Sequence, residues 1–220
     1  MLLSIITINL NNRNGLEQTI KSVLSQTWKD FEYIVIDGNS SDGSKDYLRS
    51  LPSNVSWISE VDTGIYNAMN KGIMRATGEY CLFLNSGDTL VDKEVLERAF
   101  SNHFTDDIVC FGTYDHSSNG IFKKYPPKRI SLFTFTGGSL PHPSTFIKKK
   151  LFETIGLYQE NYRIISDWCF FIQALIKHQA SYASFDEILS NFICDGVSST
   201  SSYKELQTAH DFLEKQFPRI

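Results

Sequence analysis

The chain has 220 residues, of which 41% are hydrophobic, and a formal net charge of -4. This composition suits one compact domain and lacks the low-complexity signature of a disordered chain. The negative charge, and the lack of any Lys or Arg run longer than Lys148-Lys149-Lys150, argue against nucleic acid as a partner.

The four cysteines lie far apart and form no CxxC pair. This spacing favours buried free thiols in a reducing cytoplasm over disulfides or a zinc site. The apolar start MLLSIITINL lacks the basic segment of a signal peptide and falls short of the ~20 residues that a membrane span needs. We therefore expect a cytoplasmic protein, with at most peripheral contact at the inner face of the membrane.

Strands and helices alternate in the first half of the chain. The runs LLSIITI, FEYIVID, VSWIS and EYCLFLN predict four strands, the first two buried on both faces. Between them, apolar residues recur at helical spacing, and Ser41 or Asp42, and later Asp92, are placed to cap helices. The apolar helical positions are Leu16, Ile20, Val23 and Leu24; Ile65, Met69, Ile73 and Ala76; and Val95, Leu96, Ala99 and Phe100. This alternation predicts parallel strands joined by right-handed crossovers.

The second half of the chain is less regular. Residues 111–147 show few clear periods, and YPPK and TGGSLPHPS are typical of loops. Helices are predicted at KKKLFETIG, with Gly156 at its C-cap, and from ISDW onward. YASFDEILSNFI predicts a closing strand, and residues 203–217 predict a surface helix. Because no linker divides the chain, we expect a single α/β domain over residues 1–220, with a mostly parallel central sheet flanked by helices.

Polar residues follow the predicted parallel strands at the point where each strand ends. They are Asn9 and Asn11, then Asp37, then Asp62, then Asn85 to Asp88. Ligands of such sheets bind at the carboxyl ends of the strands. No GxGxxG follows the first strand, and GNSSDGSK has Ser44 where a P-loop needs a lysine. The sequence therefore argues against an ordinary dehydrogenase or ATPase.

Two of these acids each allow two interpretations. An aspartate before a glycine is commonly turn chemistry, yet Asp37 also suits a hydrogen bond from the imide N–H of a base such as uracil. In FLNSGD, a turn accounts for Ser86 and Gly87, whereas Asp88 is well placed to bind a hard divalent cation, Mn²⁺ or Mg²⁺. Such an ion bridges a diphosphate and neutralises its charge as it leaves.

Four segments now point to a known family: SIITINLNN, FEYIVIDGNSSDGS, DTGIYNAMNKGIMRATGEYCLFLNSGD and SDWCFF. In this order they resemble the family 2 glycosyltransferases of the GT-A fold, in particular the small bacterial enzymes that build capsule, O-antigen or exopolysaccharide. The similarity is strong over residues 3 to about 100 and weaker from 138 to about 197. It implies a donor half at residues 1–110, and an acceptor half with the C-terminal helix at residues 111–220.

The resemblance also implies roles for single residues. Those expected at the donor site are Asn9, Asn11 and Asp37 near the nucleoside, with Asp37 reading the base, and Asp62, Asn70 and Ser86 near the ribose and phosphates. Asp88 matches the last acid of the Asp-x-Asp metal motif, and Asn85 replaces the first acid. Asp88 is therefore the main expected protein ligand of the Mn²⁺ or Mg²⁺ cofactor, which would bind weakly until the nucleotide supplies phosphate oxygens.

Asp167 opens the predicted helix at ISDW, where Ser166 or Asp167 also suits an N-cap. The resemblance implies a different role, because Ser166-Asp167 matches the position of the family's catalytic acid, often written Glu-Asp. In that role Asp167 takes the proton of the acceptor hydroxyl while the hydroxyl attacks the anomeric carbon opposite the leaving nucleoside diphosphate. Configuration is then expected to invert.

Two further residues are candidates for the acceptor side. His142, between two prolines in LPHPS, is interpreted as loop packing or an acceptor contact and not as a metal ligand. Trp168 is able to stack on a sugar, with core packing as the alternative. The polar segment DGVSSTSS is either a lid over the donor or a solvated loop.

These features predict an inverting hexosyl- or hexosaminyltransferase that moves a sugar from a nucleotide-sugar donor, UDP-linked, to a hydroxyl of a growing cell-surface polysaccharide or lipid-linked glycan. Membrane contact would then run through the lipid-linked acceptor or through Lys148 to Lys150, and a homodimer stays open. One alternative, motivated by Asn85, is a catalytically silent nucleotide or glycan binder. The other is a sugar-1-phosphate nucleotidyltransferase, which would need a Gly- and Arg-rich signature that NLNNRNG lacks.

Overall fold

The structure is a computed structural model that describes residues 1–194 and 203–216. The segment DGVSSTSS, predicted to be either a lid or a solvated loop, lies outside the described residues. No helix in the two described ranges has both the length and the apolar character needed to cross a membrane.

The described residues contain nine strands that form one sheet. They are β1 (Leu3–Asn9), β2 (Phe31–Asp37), β3 (Val55–Ser59), β4 (Tyr80–Phe83), β5 (Thr89–Leu90), β6 (Ile108–Ser117), β7 (Gly120–Lys124), β8 (Thr145–Lys148) and β9 (Tyr182–Ile193). Their order across the sheet is β3-β2-β1-β4-β8-β6-β9-β5, and β7 pairs with β6. Strands β1 to β4 are parallel, as predicted, and β9 is parallel to β6. Because β8 runs antiparallel to both β4 and β6, it joins these two parallel groups into one mostly parallel sheet.

Helices cover both faces of this sheet. They are α1 (Arg13–Leu24), α2 (Ser44–Arg49), α3 (Ile65–Arg75), α4 (Val95–Phe100), α5 (Lys149–Thr154), α6 (Ser166–Ile172) and α7 (Tyr203–Gln216). A π-helical turn, Gln173–Lys177, continues α6, and two 3₁₀ turns cover Leu132–Phe135 and His142–Ser144. The helices predicted around KKKLFETIG and ISDW are therefore confirmed.

The continuous apolar run of β1 serves two cores. All seven residues of β1 are buried, and successive side chains point to opposite faces of the sheet. Ile6 and Ile8 pack in a core that includes Met69 of α3, whereas Leu3 and Ile5 pack in a second core with residues of α1. A strand covered on both faces needs such a continuous apolar run. Packing on both faces fixes the carboxyl end of β1, where the polar loop begins.

The predicted helix caps differ from the observed ones by one or two residues. Helix α2 begins at Ser44 and has Gly43 at its N-cap, with the left-handed φ of 90° that favours glycine. Asp42 nevertheless accepts a hydrogen bond from the Ser44 N–H, at 3.1 Å. Asp92 likewise accepts one from the Glu94 N–H, at 2.8 Å, although Glu94 itself is the N-cap of α4. Asp42 and Asp92 therefore accept hydrogen bonds from backbone N–H groups at the start of these helices, although neither residue is the N-cap.

Strands β6 and β7 form a hairpin in a stretch for which few periodic signals were found. Ser117 pairs with Gly120, so Ser118 and Asn119 form the turn. Gly120, which follows this turn, has a φ of 126°, a conformation that favours glycine. The hairpin was missed because every residue of β7 is exposed, so the strand carries no alternation of apolar and polar residues.

Candidate active site

A cavity of about 1420 Å³ opens at the carboxyl ends of β1 and β4 and is lined by residues from both halves of the chain. The predicted site residues among its lining are Asn9, Asp62, Ser86, Asp88, His142, Asp167 and Trp168. The lining does not include the other three, Asn11, Asp37 and Asn70. The structure thus brings the candidate metal ligand and the candidate base to one cavity.

Asp37 is the last residue of β2 and lies between two neighbours in register, Asn9 of β1 and Ser59 of β3. Its side chain is fully buried. One carboxylate oxygen accepts from Asn9 Nδ2 at 2.8 Å and from Ser40 Oγ at 2.6 Å, and the other accepts from the Ser40 N–H at 3.0 Å and from Ser59 Oγ at 2.6 Å. Burial raises the pKa of Asp37, but these hydrogen bonds outweigh burial and hold it below its ordinary value. In this structure the Asp37 carboxylate organises the loop that follows β2, and its contact with a nucleobase stays a prediction.

Asn9 and Asn11 support the same loop in different ways. Asn9 lines the cavity, and its Oδ1 is buried with no hydrogen-bond partner in residues 1–194 and the described part of α7. Asn11 is exposed, adopts a left-handed φ of 51°, and accepts a hydrogen bond from the Ser41 N–H at 2.8 Å. Asn9 therefore presents an acceptor at the cavity wall, whereas Asn11 fixes the loop behind it.

Asn70, which was expected near the ribose and phosphates, does not line the cavity. It is buried in α3, where its Nδ2 donates to the Tyr158 carbonyl at 2.8 Å and to Glu160 Oε1 at 3.0 Å. Its Oδ1 accepts from the Tyr158 N–H at 3.0 Å. Because both ends of the amide are engaged, Asn70 ties α3 to the segment that leads into α6.

The turn NSGD directs Asp88 back to the cavity. Gly87 has a φ of 114°, and the Asp88 N–H donates to the Asn85 carbonyl at 2.9 Å, which closes the turn. Asp88 is 4% exposed, and its Oδ1 accepts from the Ile193 N–H of β9 at 3.2 Å. This turn explains why an apolar strand ends in four polar or small residues: it delivers a carboxylate to the rim of the sheet.

The residues at this turn fit a hard divalent cation. Asn85 also lines the cavity, and its buried Oδ1 lacks a hydrogen-bond partner among the residues that the structure describes. With Asp88 it offers an all-oxygen donor set. No group of three His, Cys, Asp or Glu side chains able to hold a metal occurs in the described residues. Mg²⁺ and Mn²⁺ suit so small a set, because they commonly take their other ligands from water and substrate phosphates.

Two more residues line the cavity near β1. Asp62 accepts a hydrogen bond from the Gly64 N–H at 3.1 Å, just before α3 begins. The Ser86 carbonyl accepts from Asn12 Nδ2 at 2.9 Å, and Asn12 also caps α1 by accepting from the Gly15 N–H. Asn12 was not singled out in the sequence, although an asparagine before a helix is a common cap.

Asp167 lies in the first turn of α6 and is not its N-cap. The N-cap is Ile165, which makes no side-chain cap, and Ser166 Oγ instead accepts from the Gln159 N–H at 2.6 Å. Asp167 lines the cavity, and its Oδ1 accepts a hydrogen bond from the Tyr66 hydroxyl at 2.6 Å. Burial, together with the Asp167 charge, raises the pKa of Tyr66 well above its ordinary value, so Tyr66 stays protonated and donates. The cap interpretation is therefore not supported, and the Asp167 carboxylate is held instead by the hydroxyl of Tyr66 from α3.

His142 and Trp168 form the apolar side of the cavity. The His142 ring stacks on Phe83 with centroids 4.8 Å apart, and its Nε2 lies 2.9 Å from the Tyr158 hydroxyl. Burial lowers the pKa of His142, against the opposing charge of Asp167, which favours the neutral ring. Trp168 donates from Nε1 to the Phe135 carbonyl at 3.0 Å. Both residues pack against neighbours and also line the cavity. For each of them, packing and contact with a bound sugar or acceptor therefore both stay open.

Helix α7 was predicted to be a surface helix, but part of it closes the cavity. Phe212 is 3% exposed and packs edge-on against Trp168, with ring centroids 5.8 Å apart. Ala209 and Leu213 line the cavity on the same side. The apolar positions of this helix therefore complete the side of the cavity that carries Trp168.

Asp115 is a cavity residue that the sequence analysis missed. It lies in β6 beyond a register shift at Gly112, where an added Cβ would approach Ile188 Cδ1 to 2.7 Å. The shift breaks the alternation of β6 and places Thr113 and Asp115 in the cavity lining. Asp115 Oδ1 is buried without a hydrogen-bond partner in the described ranges, and burial raises the pKa of this carboxyl. A bulge leaves no period in the sequence by which the residue could have been found.

Comparison with known proteins identifies the family. The profile described as glycosyl transferase family 2 matches residues 4–173. A PGL/p-HBAD biosynthesis glycosyltransferase from Mycobacterium bovis is 32% identical over 208 residues, which cover 87% of this chain and 80% of that protein. An uncharacterized glycosyltransferase from Mycobacterium tuberculosis is 34% identical over 204 residues, which cover 89% of this chain and 76% of that protein.

Solved structures share the fold at low sequence identity. TarS 1-349 from S. aureus, in complex with UDP, matches with a TM-score of 0.76 and 19% identity over 100% of this chain and 66% of that chain. The mannosyltransferase PcManGT from Pyrobaculum calidifontis, in complex with GDP-Man and Mn²⁺, matches with a TM-score of 0.65 and 15% identity over 86% and 56% of the two chains. This chain thus spans less than two thirds of either solved chain. The sheet order, the family profile and the relatives agree: the chain belongs to glycosyl transferase family 2 and has the GT-A fold.

Proposed function

We propose that this family 2 glycosyltransferase moves a hexosyl or hexosaminyl group from a UDP-linked donor to a hydroxyl of a growing cell-surface polysaccharide or lipid-linked glycan, with inversion. The observation that carries the proposal is that Asp88 and Asp167, from distant parts of the chain, line one cavity. That cavity is large enough for a nucleotide sugar beside an acceptor. The UDP-bound neighbour and the relative named PGL/p-HBAD biosynthesis glycosyltransferase give it further support.

The division of labour follows the two halves of the chain. The carboxyl ends of β1 to β4, within residues 1–110, carry Asn9, Asp62 and Ser86 and are proposed to bind the donor. Residues 111–220 contribute His142 and Trp168, which are proposed to contact the acceptor. Asn11 and Asp37 support the donor side from behind, because they hold the loop that follows β2.

A divalent cation is proposed to bind at Asp88, with Asn85 Oδ1 as a second protein oxygen. When bound to the diphosphate, Mn²⁺ or Mg²⁺ would supply positive charge against the negative charge of the leaving group. A neighbour that contains Mn²⁺ and GDP-Man gives this assignment general support. Asp88 is oriented for this purpose by its bond from the Ile193 N–H.

Asp167 is proposed to act as the general base. The acceptor oxygen forms a bond to the anomeric carbon as the bond from that carbon to the diphosphate oxygen breaks, and the electron pair leaves with the nucleoside diphosphate. The hydroxyl proton passes to Asp167, which Tyr66 orients at 2.6 Å. Attack from the face opposite the leaving group inverts the configuration, so no covalent glycosyl-enzyme is formed.

The test compares Asp167→Asn with the wild type and with a control, Asp30→Asn, at an exposed carboxyl outside the cavity. Each protein is incubated with a panel of nucleotide sugars, with and without Mn²⁺, and released diphosphate is measured. Asp167→Asn should keep UDP affinity and lose about 10²- to 10⁴-fold in turnover, because proton transfer typically contributes that much. The control should behave as the wild type does. An active Asp167→Asn variant would remove the base assignment.

The same panel separates the two alternatives. Wild-type protein that binds UDP but releases no diphosphate from any nucleotide sugar would favour the silent binder, which Asn85 motivates. A sugar-1-phosphate nucleotidyltransferase would instead release pyrophosphate from a nucleoside triphosphate mixed with a sugar phosphate. The loop after β1 offers this reaction no arginine- and glycine-rich segment, since it reads NLNNRNG.

A further inference from the structure

The β6–β7 hairpin and the segment after it form an exposed surface, which we call the hairpin rim: residues 121–125, 128, 129 and 133. Four large apolar side chains stand out here, and their exposed fractions are 63% for Ile121, 55% for Phe122, 49% for Tyr125 and 86% for Phe133. All five residues of β7 are exposed, and within the described chain β7 pairs only with β6. So many exposed apolar groups on one hairpin and its flank mark an interaction surface.

The charge of the rim is opposite to that of the protein. Residues 120–133, GIFKKYPPKRISLF, contain four basic residues and no acid, whereas the whole chain has a net charge of -4. Lys128 forms an ion pair with Asp186 at 2.6 Å. The other three, Lys123, Lys124 and Arg129, are exposed and have no ion pair within 4.0 Å among the described residues. Their charge is available to an external anionic surface.

The rim borders the cavity. Lys124 and Phe133 both belong to the rim and also line the cavity, as does Leu132. Phe122 faces the same side of the hairpin as the cavity residue Asp115, because these two residues are paired in register across β6 and β7. A surface that contacts the rim therefore lies beside the cavity mouth.

We propose that the hairpin rim docks the protein on an anionic lipid bilayer. Aromatic and aliphatic side chains would enter the boundary between headgroups and acyl chains, and the neighbouring Lys and Arg would contact anionic headgroups. Apolar side chains on both faces of a thin hairpin suit shallow insertion into a bilayer better than the flat packing of a protein interface. The proposal builds on the proposed function, because a lipid-linked acceptor held in that bilayer would reach the cavity mouth directly.

The basic run that the sequence suggested for membrane contact is less suitable. Lys148 is only 13% exposed, donates to the Thr105 carbonyl, and lies 3.8 Å from both Glu79 and Asp107. Lys150 pairs with Asp107 at 2.9 Å. These contacts compensate the charges of Lys148 and Lys150, so the rim is the better candidate for membrane contact.

The experiment measures sedimentation of the full chain with vesicles of phosphatidylcholine alone, or of phosphatidylcholine with about one third phosphatidylglycerol. Wild-type protein should bind the anionic vesicles, and raising the salt to about 0.5 M should weaken this binding by screening. Ile121→Ser with Phe122→Ser, and separately Lys123→Glu with Arg129→Glu, should each lower the partition coefficient about tenfold or more.

The matched control is Met74→Ser with Lys150→Glu, which changes an exposed apolar residue and a basic residue away from the rim. It should bind vesicles as the wild type does. Circular dichroism and UDP affinity should be unchanged in all variants, which separates lost docking from lost folding. Failure of the wild type to bind anionic vesicles, or wild-type binding by both rim variants, would overturn the proposal. So would sedimentation velocity that shows a wild-type dimer dissociated by the rim changes, since the rim would then contact a second copy.

The two proposals fail separately. Wild-type protein that binds vesicles but neither binds UDP nor releases it from a nucleotide sugar keeps the rim and removes the transferase proposal. Protein that turns over donor but does not bind anionic vesicles keeps the transferase proposal and removes the rim proposal.

Discussion

Tyr66 and Asp167 meet at the cavity wall from opposite halves of the chain. The hydroxyl of Tyr66 donates at 2.6 Å to one oxygen of Asp167, and the ring is 4% exposed. A phenol whose pKa is raised well above its ordinary value keeps its proton at neutral pH and so remains a donor. In the proposed mechanism, Tyr66 is thus a positioning residue that fixes the carboxylate, and Asp167 is the group proposed to take the proton.

Tyr66→Phe should therefore lower kcat by about 10- to 100-fold and leave the donor KM within about twofold, because one hydrogen bond to a charged group contributes about 1.5–3 kcal/mol. Donor turnover at saturating UDP-sugar, followed by released UDP, measures this. Tyr80→Phe is the matched control, since its buried hydroxyl donates to the Asp106 carbonyl outside the cavity. A drop confined to KM, or an equal loss in the control, would count against the positioning role.

At the scale of single elements, the loop between β2 and α2 is built around one carboxylate. Asp37 accepts four hydrogen bonds, and their donors come from β1, from β3 and from the loop itself. Asn9 contributes one of these bonds and also lines the cavity. The loop and the cavity wall are thereby coupled. A substitution of Asp37 should therefore reduce the stability of the protein more than its affinity for a ligand.

Asp37→Asn should lower the free energy of unfolding at pH 7 by about 1–3 kcal/mol, because an amide N–H₂ then faces groups that donate. The native pKa of Asp37 is lowered, so its stabilisation is fully present above the unfolded value near 4 and is lost as pH falls through the lower native value. Urea unfolding at pH 7 and at about pH 3 should show the difference between variant and wild type shrinking in acid. Asp30→Asn, at an exposed carboxyl, controls for the change in charge. A difference that is constant across pH would contradict the assignment.

The first four strands were predictable because each is a short run rich in apolar residues, and this signal is local. The roles of Asp37 and Asn70 were not, because the same polar atom serves a ligand or the protein's own backbone, and only the fold shows which partners it meets. Asp115 and the β6–β7 hairpin could not be predicted from the sequence for a different reason. A bulge and a fully exposed strand both erase the two-residue period on which strand prediction depends.

At the scale of the whole molecule, the two halves of the chain are joined by specific polar bonds. Asn70 of α3 holds the Tyr158 backbone from both ends of its amide, and Asp88 accepts from the Ile193 N–H of β9. A ligand that contacts both halves would therefore bind the folded chain and not the unfolded one. Ligand binding should then appear as added thermal stability.

Saturating UDP should stabilise the wild type by about 2.7 kcal/mol when its concentration is about a hundred times Kd, and Mn²⁺ should add to this if Asp88 and Asn85 hold the cation. Asp88→Ala should lose the Mn²⁺-dependent part of the shift in melting temperature, because the remaining amide oxygen is a weak ligand on its own. Asp167→Asn should keep it, since that carboxylate is assigned to the acceptor proton and not to the metal. Differential scanning calorimetry with UDP, Mn²⁺, both and neither separates the contributions. If Asp88→Ala responds to Mn²⁺ as the wild type does, the cation lies elsewhere, and the link between NSGD and the leaving diphosphate is lost.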